Sequence, residues 1–247
     1  IRRELAEAWA KDLGDLAAHI QAAAEMAAPS SASAEDSAPG VVVFEDFESG
    51  DYAGWEISGE AFGSAPLAKT NLPDYQGDVA PVGERFVNSH RRSDPAGVAG
   101  GDKAVGSLTS RPFTVGHDYI HFLIGGGAHK GKTGIRLLID GKEAAWVSGP
   151  NQNRMRPAKM ATRAFRGKTA RLAVVDQEKG GWGNVGLDHI VFSDWDKVFD
   201  GSNQPLKLSG SPAEFAERRG LDPGRLQAVA GLLDASGAEA GSEPPTP

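Results

Sequence analysis

The sequence predicts a mainly β protein, an antiparallel β-sandwich with α-helices flanking it at both ends. Three observations carry that expectation. Glycine is abundant, at 32 of 247 residues, nearly twice average usage. Gly and Pro fall mostly between short apolar runs, the punctuation of many turns and short strands. From residue 41 to 195 no amphipathic helical stretch interrupts those runs, which favours antiparallel all-β over α/β.

Taken in order, residues 1–26 read as a helix. Ile1, Leu5, Trp9, Leu13, Leu16 and Ile20 recur at three- and four-residue spacing and form one apolar stripe. Such a helix is marginal alone, so the stripe is expected to need a partner. Residues 27–40 are Ala/Ser/Pro-rich and read as a flexible linker.

Strands are expected at Val41–Phe47, Gly54–Ser58, Arg85–Ser89, Ala104–Thr109, Tyr119–Gly125, Gly134–Ile139, Ala144–Ser148, Thr169–Val175 and Leu187–Ser193. Ile135, Leu137 and Ile139 alternate with a period of two. Asp140-Gly141, between two such runs, signals a hairpin. Residues 196–210 read as a connector. A capping box, Ser211-Pro212-Ala213-Glu214, opens a return to helix over 211–234 in two short segments split at Gly220. The two end helices could pair with each other. The tail, 235–247, reads as disordered.

Composition excludes several classes. The formal net charge of −7 argues against a nucleic-acid partner. Without cysteine this chain has no disulfide framework, thiolate zinc site or haem attachment. No apolar run approaches the roughly 20 residues of a membrane span, and no signal peptide stands at the start. The first residue is Ile1, inside a helical pattern, which is the expectation for a piece of a longer protein.

Two segments concentrate the functional signal, Tyr119–Lys142 (YIHFLIGGGAHKGKTGIRLLIDGK) and 174–194 (VVDQEKGGWGNVGLDHIVFSD). Each joins a strand to a glycine-rich loop and then to a second strand. Trp182 lies between two glycines, an arrangement open to stacking on a sugar face or to closing one end of a core. Asp176, at a strand end, could accept two hydroxyls, and Asn184 could donate and accept; both could equally serve their own turns. His129 follows the triple glycine Gly125-Gly126-Gly127, which permits close backbone approach but lacks the ending of a phosphate loop.

These segments, with FEDFESGDYAGWEISGEAFG, RFVNSH and GSLTSRPFTV, resemble the β-sandwich attached to levanases and other members of glycoside hydrolase family 32. That sandwich is similar to the family 66 carbohydrate-binding modules, which bind fructose ends of levan. The resemblance covers roughly residues 43–194. It implies a jelly-roll-like, non-catalytic carbohydrate-binding domain whose partner is a polysaccharide or oligosaccharide. It places ligand contacts at Arg154 and Glu60 beside Trp182, Asp176, His129 and Asn184. It also implies a structural Ca²⁺ held by Glu45 and Asp188 on the first and last strands, with the hard oxygens that ion requires. The loops Pro73–Pro81 and Pro150–Pro157 depart from the levanase pattern, which leaves fructose itself in doubt.

The flanks, IRRELAEAWAKDL and AEFAERRGLDPGRLQAVAGLL, resemble helical regions of planctomycetal multidomain c-type cytochrome proteins. That implies an extracytoplasmic module with neighbouring domains of a parent chain as partners.

Catalysis has little support. None of the six histidines makes a zinc-binding spacing, and no serine lies in a nucleophile elbow. Two other readings stay open: a structural module packing against neighbouring domains, in which Trp182 would be buried, and a hydrolase, which would need two convergent carboxylates.

Overall fold

The computed structural model describes residues 2–27, 40–90, 101–206, 216, 220–229 and 232, with the side chains of the first helix described over 11–23. Most of the expected linker, most of the expected 211–234 helices and the tail lie outside the described residues. The chain forms two compact units, Val42–Leu206 and the combined termini, Ile1–Val41 with Lys207–Pro247.

The Val42–Leu206 unit is an antiparallel two-sheet β-sandwich. Its strands are β1 (Val41–Glu45), β2 (Trp55–Gly59), β3 (Leu67–Ala68), β4 (Arg85–Asn88), β5 (Gly106–Ser110), β6 (Phe113–Thr114), β7 (Tyr119–Gly126), β8 (Thr133–Ile139), β9 (Lys142–Val147), β10 (Gln152–Ala161), β11 (Thr169–Asp176) and β12 (Val185–Ser193). One sheet runs β10-β7-β12-β4-β3, with β1 pairing β12; the other runs β2-β5-β11-β8-β9, with β6 pairing β11. The first and last strands therefore lie side by side.

The alternation seen in the sequence fills the space between the sheets. Ile120, Phe122 and Ile124 of β7 and Leu187 of β12 meet Ile135, Leu137 and Ile139 of β8 and Leu172 and Val174 of β11 in one core. Period-two burial fixes register, because a one-residue slip would turn every one of these side chains outward. Phe44 stacks on Phe192 with centroids 4.6 Å apart and extends the core along β1 and β12. The β8–β9 hairpin turns at Asp140 and Gly141, both with positive φ (50° and 77°), the primed geometry that matches strand twist.

Three strands were not legible. β3 and β6 have two residues each, too few to show a period. β10 reads as polar loop because a register shift between Gln152 and Arg156 breaks its alternation, leaving Met155 and Met160 as its buried residues. It also carries Pro157, tolerated because β10 is an edge strand. Arg154 and Arg156 are thus strand residues. The expected connector is also corrected in part. Residues 198–206 fold onto the sandwich, with Val198 and Phe199 buried and the Asn203 amide donating to Ala80 O (2.9 Å) and Met155 O (2.8 Å).

In the unit formed by the termini, α1 (Arg2–Ala27) buries Ala22 and Ala23 against Ala216 and Leu226. His19 Nδ1–H donates to Asp15 O, which leaves Nε2 to accept the Asp222 N–H at 3.1 Å. The buried face is therefore His19, Ala22 and Ala23. Leu13, Leu16 and Ile20, from the expected stripe, are exposed. Among the described residues no helix is long and apolar enough to cross a membrane.

Candidate functional site

β7 and β12 belong to one sheet, β8 and β11 to the other. The loop from β7 to β8 (127–132) and the loop from β11 to β12 (177–184) therefore both cross between sheets, at the same end of the sandwich. The row Gly59–Gly106–Asp176–Thr133 ends one sheet there. The row Val185–Gly126–Gln152 ends the other. The opposite end is closed by charge: Arg166 Nη2 bonds Asp118 Oδ1 (2.9 Å) and Asp194 Oδ1 (2.7 Å).

At the loop end the two loops are zipped together. Gly127 N–H donates to Asn184 O (2.8 Å), Gln177 N–H to Lys132 O (2.8 Å), and the His129 imidazole contacts Gly181 O through Nε2 (3.1 Å). Lys132 Nζ pairs with Glu178 Oε2 at 2.7 Å. That ammonium, helped by the Gly180 N–H, holds the Glu178 carboxyl down at about 2. Lys132→Ala is expected to move the Glu178 midpoint up toward its ordinary 4.5, read by NMR titration; an unmoved midpoint would assign the depression to backbone alone.

The triple glycine serves this zipper. A Cβ on Gly127 would meet Trp182 O at 2.0 Å, and one on Gly126 would meet Asn184 O at 2.3 Å. Both obstacles are backbone, which cannot swing aside as a side chain can. Gly127→Ala is expected to cost about 2 kcal/mol of unfolding free energy, measured by urea denaturation; a change within about 0.5 kcal/mol would show that the loops part freely.

Trp182 crowns this arrangement. It adopts φ 60°, a left-handed conformation that bulky residues rarely hold and that collects at ligand sites. Flanking Gly181 and Gly183 give it room, and Gly183 N–H donates to Gly180 O (2.9 Å) to close the turn. The indole is 41% exposed. The loop thus strains its backbone to hold a large apolar plane in water.

The other expected contacts divide. His129 is half-buried on the same rim. Glu60 is exposed at the end of β2, its N–H bonded to Val105 O (2.9 Å). Asp176 and Asn184 are corrected from ligand contacts to supports, because both are buried, Asp176 completely. Asp176 Oδ1 accepts the Glu178 N–H at 3.3 Å, the Ser89 hydroxyl is a second partner, and Oδ2 is buried with no hydrogen-bond partner. Burial pushes this carboxyl up to about 7, with the charges of Asp102 and Glu178 adding to the effect. Asn184 lines a closed pocket with Gln76, Asn88 and Asn153, with room for about one water. Arg154 is ion-paired with Asp78 and faces a cleft of about 600 Å³ beside Arg156, Lys159 and Phe199.

The calcium expectation does not fit the residues present. Glu45 Oε2 accepts the Trp55 indole N–H (3.0 Å) and faces Arg111 Nη1 at 3.6 Å. Asp188 is fully buried, and its two oxygens accept the Val82 N–H (2.7 Å) and the His189 N–H (2.8 Å). Burial raises the Asp188 carboxyl well above its ordinary value, and Glu48 and Asp46 push the same way. Among the described residues no three His, Asp or Glu side chains are placed to hold a metal ion.

Ser89, Thr133, Lys132 and Glu178 escaped the sequence reading. Ser89 ties three strands, through the Val185 N–H to its Oγ (2.8 Å) and through Asp176. Thr133 Oγ1 donates to Gly127 O (2.9 Å). Their only local signal was position at strand ends.

No family model matches the chain. Over 155 residues, 62% of this chain, it is 29% identical to the proposed glycosyl hydrolase ecdE of Aspergillus rugulosus; the chain spans 21% of that protein's length. Solved structures similar to it include the K1 cleaved adhesin domain of Lys-gingipain from Porphyromonas gingivalis, with 13% identity and a TM-score of 0.40, covering 62% of this chain and 97% of that one. A family 35 carbohydrate-binding module from Clostridium thermocellum is also similar, with 13% identity and a TM-score of 0.34 over 62% and 98% of the two chains.

Proposed function

We propose that the sandwich is a non-catalytic carbohydrate-binding module that stacks a sugar ring on Trp182. The carrying observation is the exposed indole held at positive φ on a zipped, glycine-lined rim. Sugars present apolar C–H faces ringed by hydroxyls, so recognition needs a rigid aromatic plane with polar groups at its edge. His129, Lys132 and Glu178 supply that edge. Trp182 is not buried, as a purely structural module would have it.

The rim carboxylates also favour binding over hydrolysis. Asp176 is enclosed, Glu178 is tied to Lys132, and Asp102 is tied to His90. An Aspergillus relative named as a glycosyl hydrolase, of which this chain spans about a fifth, is consistent with an accessory module. In this reading the sandwich, outside the cytoplasm, holds a larger parent protein and its neighbouring domains on a polysaccharide or oligosaccharide. The test is a broad glycan array followed by calorimetry. Retention of a glycan class at millimolar to micromolar affinity supports the reading, and no binding across the array refutes it.

A further inference from the structure

We infer that Tyr75 is a second sugar-stacking residue, so that the loop end binds two or more consecutive sugar units of an oligosaccharide; this rests on the carbohydrate reading of the same end.

Tyr75 lies in a short 3₁₀ turn, Asp74–Gln76, and its ring is 72% exposed. An exposed tyrosine is ordinarily mobile, but this one is held from behind. Its hydroxyl meets His90 Nε2 at 2.7 Å, and His90 Nδ1 meets Asp102 Oδ1 at 2.6 Å. The Asp102 carboxylate accepts from Nδ1–H and so fixes the ring orientation that turns Nε2 toward the phenol oxygen. The contact holds the tyrosine ring in place as a fixed plane, with its hydroxyl at the edge. Pre-ordering of this kind removes the entropy cost that a free side chain would bring to binding.

The turn beneath is fixed too. Gln76 Nε2 donates to His90 O (2.8 Å), Asn88 Nδ2 to Gln76 Oε1 (2.9 Å), and His90 N–H to Asn88 Oδ1 (2.8 Å). The same network reaches the end of the loop that carries Trp182. Asn88 pairs in register with Gly186, Ser89 N–H donates to Val185 O (3.0 Å), and Gln76, Asn88 and Asn184 share one closed pocket. Both exposed aromatic planes are thus mounted on one polar frame at one end of the sandwich. Among the described residues, nothing in local packing accounts for the Tyr75–His90–Asp102 relay, since it holds a ring that buries little of itself. One plane suffices for a terminal sugar; two on a common frame suit a chain.

The test is calorimetric titration of the protein with fructo-, cello- and galacto-oligosaccharides of one to four units. Wild type is expected to gain about tenfold in affinity from one unit to the longer members of the series it binds. Tyr75→Ala is expected to lose that gain and keep the single-unit affinity. Tyr75→Phe, which keeps the ring and cuts the tether, is expected to lose about threefold on the longer members alone. A length-independent wild-type affinity, or a gain that survives Tyr75→Ala, overturns the inference and leaves the Trp182 site standing. No binding at any length overturns the carbohydrate reading itself.

Discussion

Asp176 is expected to make the fold lose stability on the order of 4 kcal/mol as pH rises from about 4 to about 8. Folding raises this carboxyl from an ordinary 3.8 to about 7, chiefly by burial. Between those values the folded chain keeps a proton that the unfolded chain has released. The contribution is therefore fully present below about pH 4 and is gone once pH passes about 7. Asp176→Asn keeps an oxygen for the Ser89 hydroxyl and the Glu178 N–H and removes the charge. Its urea stability is expected to be flatter over this range and above wild type at pH 8. Asp188, also raised by burial, adds a slope common to both proteins, so the difference between them isolates Asp176. A difference that does not change with pH would show that the Asp176 site is open to water.

Trp182→Ala is expected to weaken glycan binding at least a hundredfold, about 2.7 kcal/mol, with little loss of stability. The indole is 41% exposed and lies outside the core cluster, so its removal leaves no enclosed core cavity. Alanine also sits in the left-handed region no more easily than tryptophan, so the backbone cost stays similar. Thermal unfolding with calorimetry separates the two effects. A large drop in melting temperature with binding kept would make Trp182 a closing piece of the core.

The fold was legible where side-chain period and turn chemistry agree. Ile135, Leu137 and Ile139 alternate and are followed by Asp140-Gly141, and β8 and its hairpin follow directly. β10 was lost because its register shift breaks the alternation and Pro157 suggests a loop. The site was half legible. Trp182 stood out through its flanking glycines. That Asp176 lies beneath the rim, and not on it, depends on Gly106 and Thr133 pairing on either side of it, which no local pattern records. Glu45 and Asp188 lie on adjacent strands, β1 and β12, as the resemblance implied. Their carboxylates nevertheless take separate partners, Trp55 and Arg111 for one and backbone N–H groups for the other. The Tyr75 relay joins residues 12 and 15 positions apart, a spacing without local meaning until β4 brings His90 beside the turn.

The most direct measurement is a titration of wild type and Trp182→Ala with the best-retained glycan of an array, with and without a chelator. Wild-type affinity is expected in the millimolar to micromolar range, with Trp182→Ala at least a hundredfold weaker and no effect of the chelator. A wild type that retains no glycan, or a Trp182→Ala protein that binds with unchanged affinity, would contradict it.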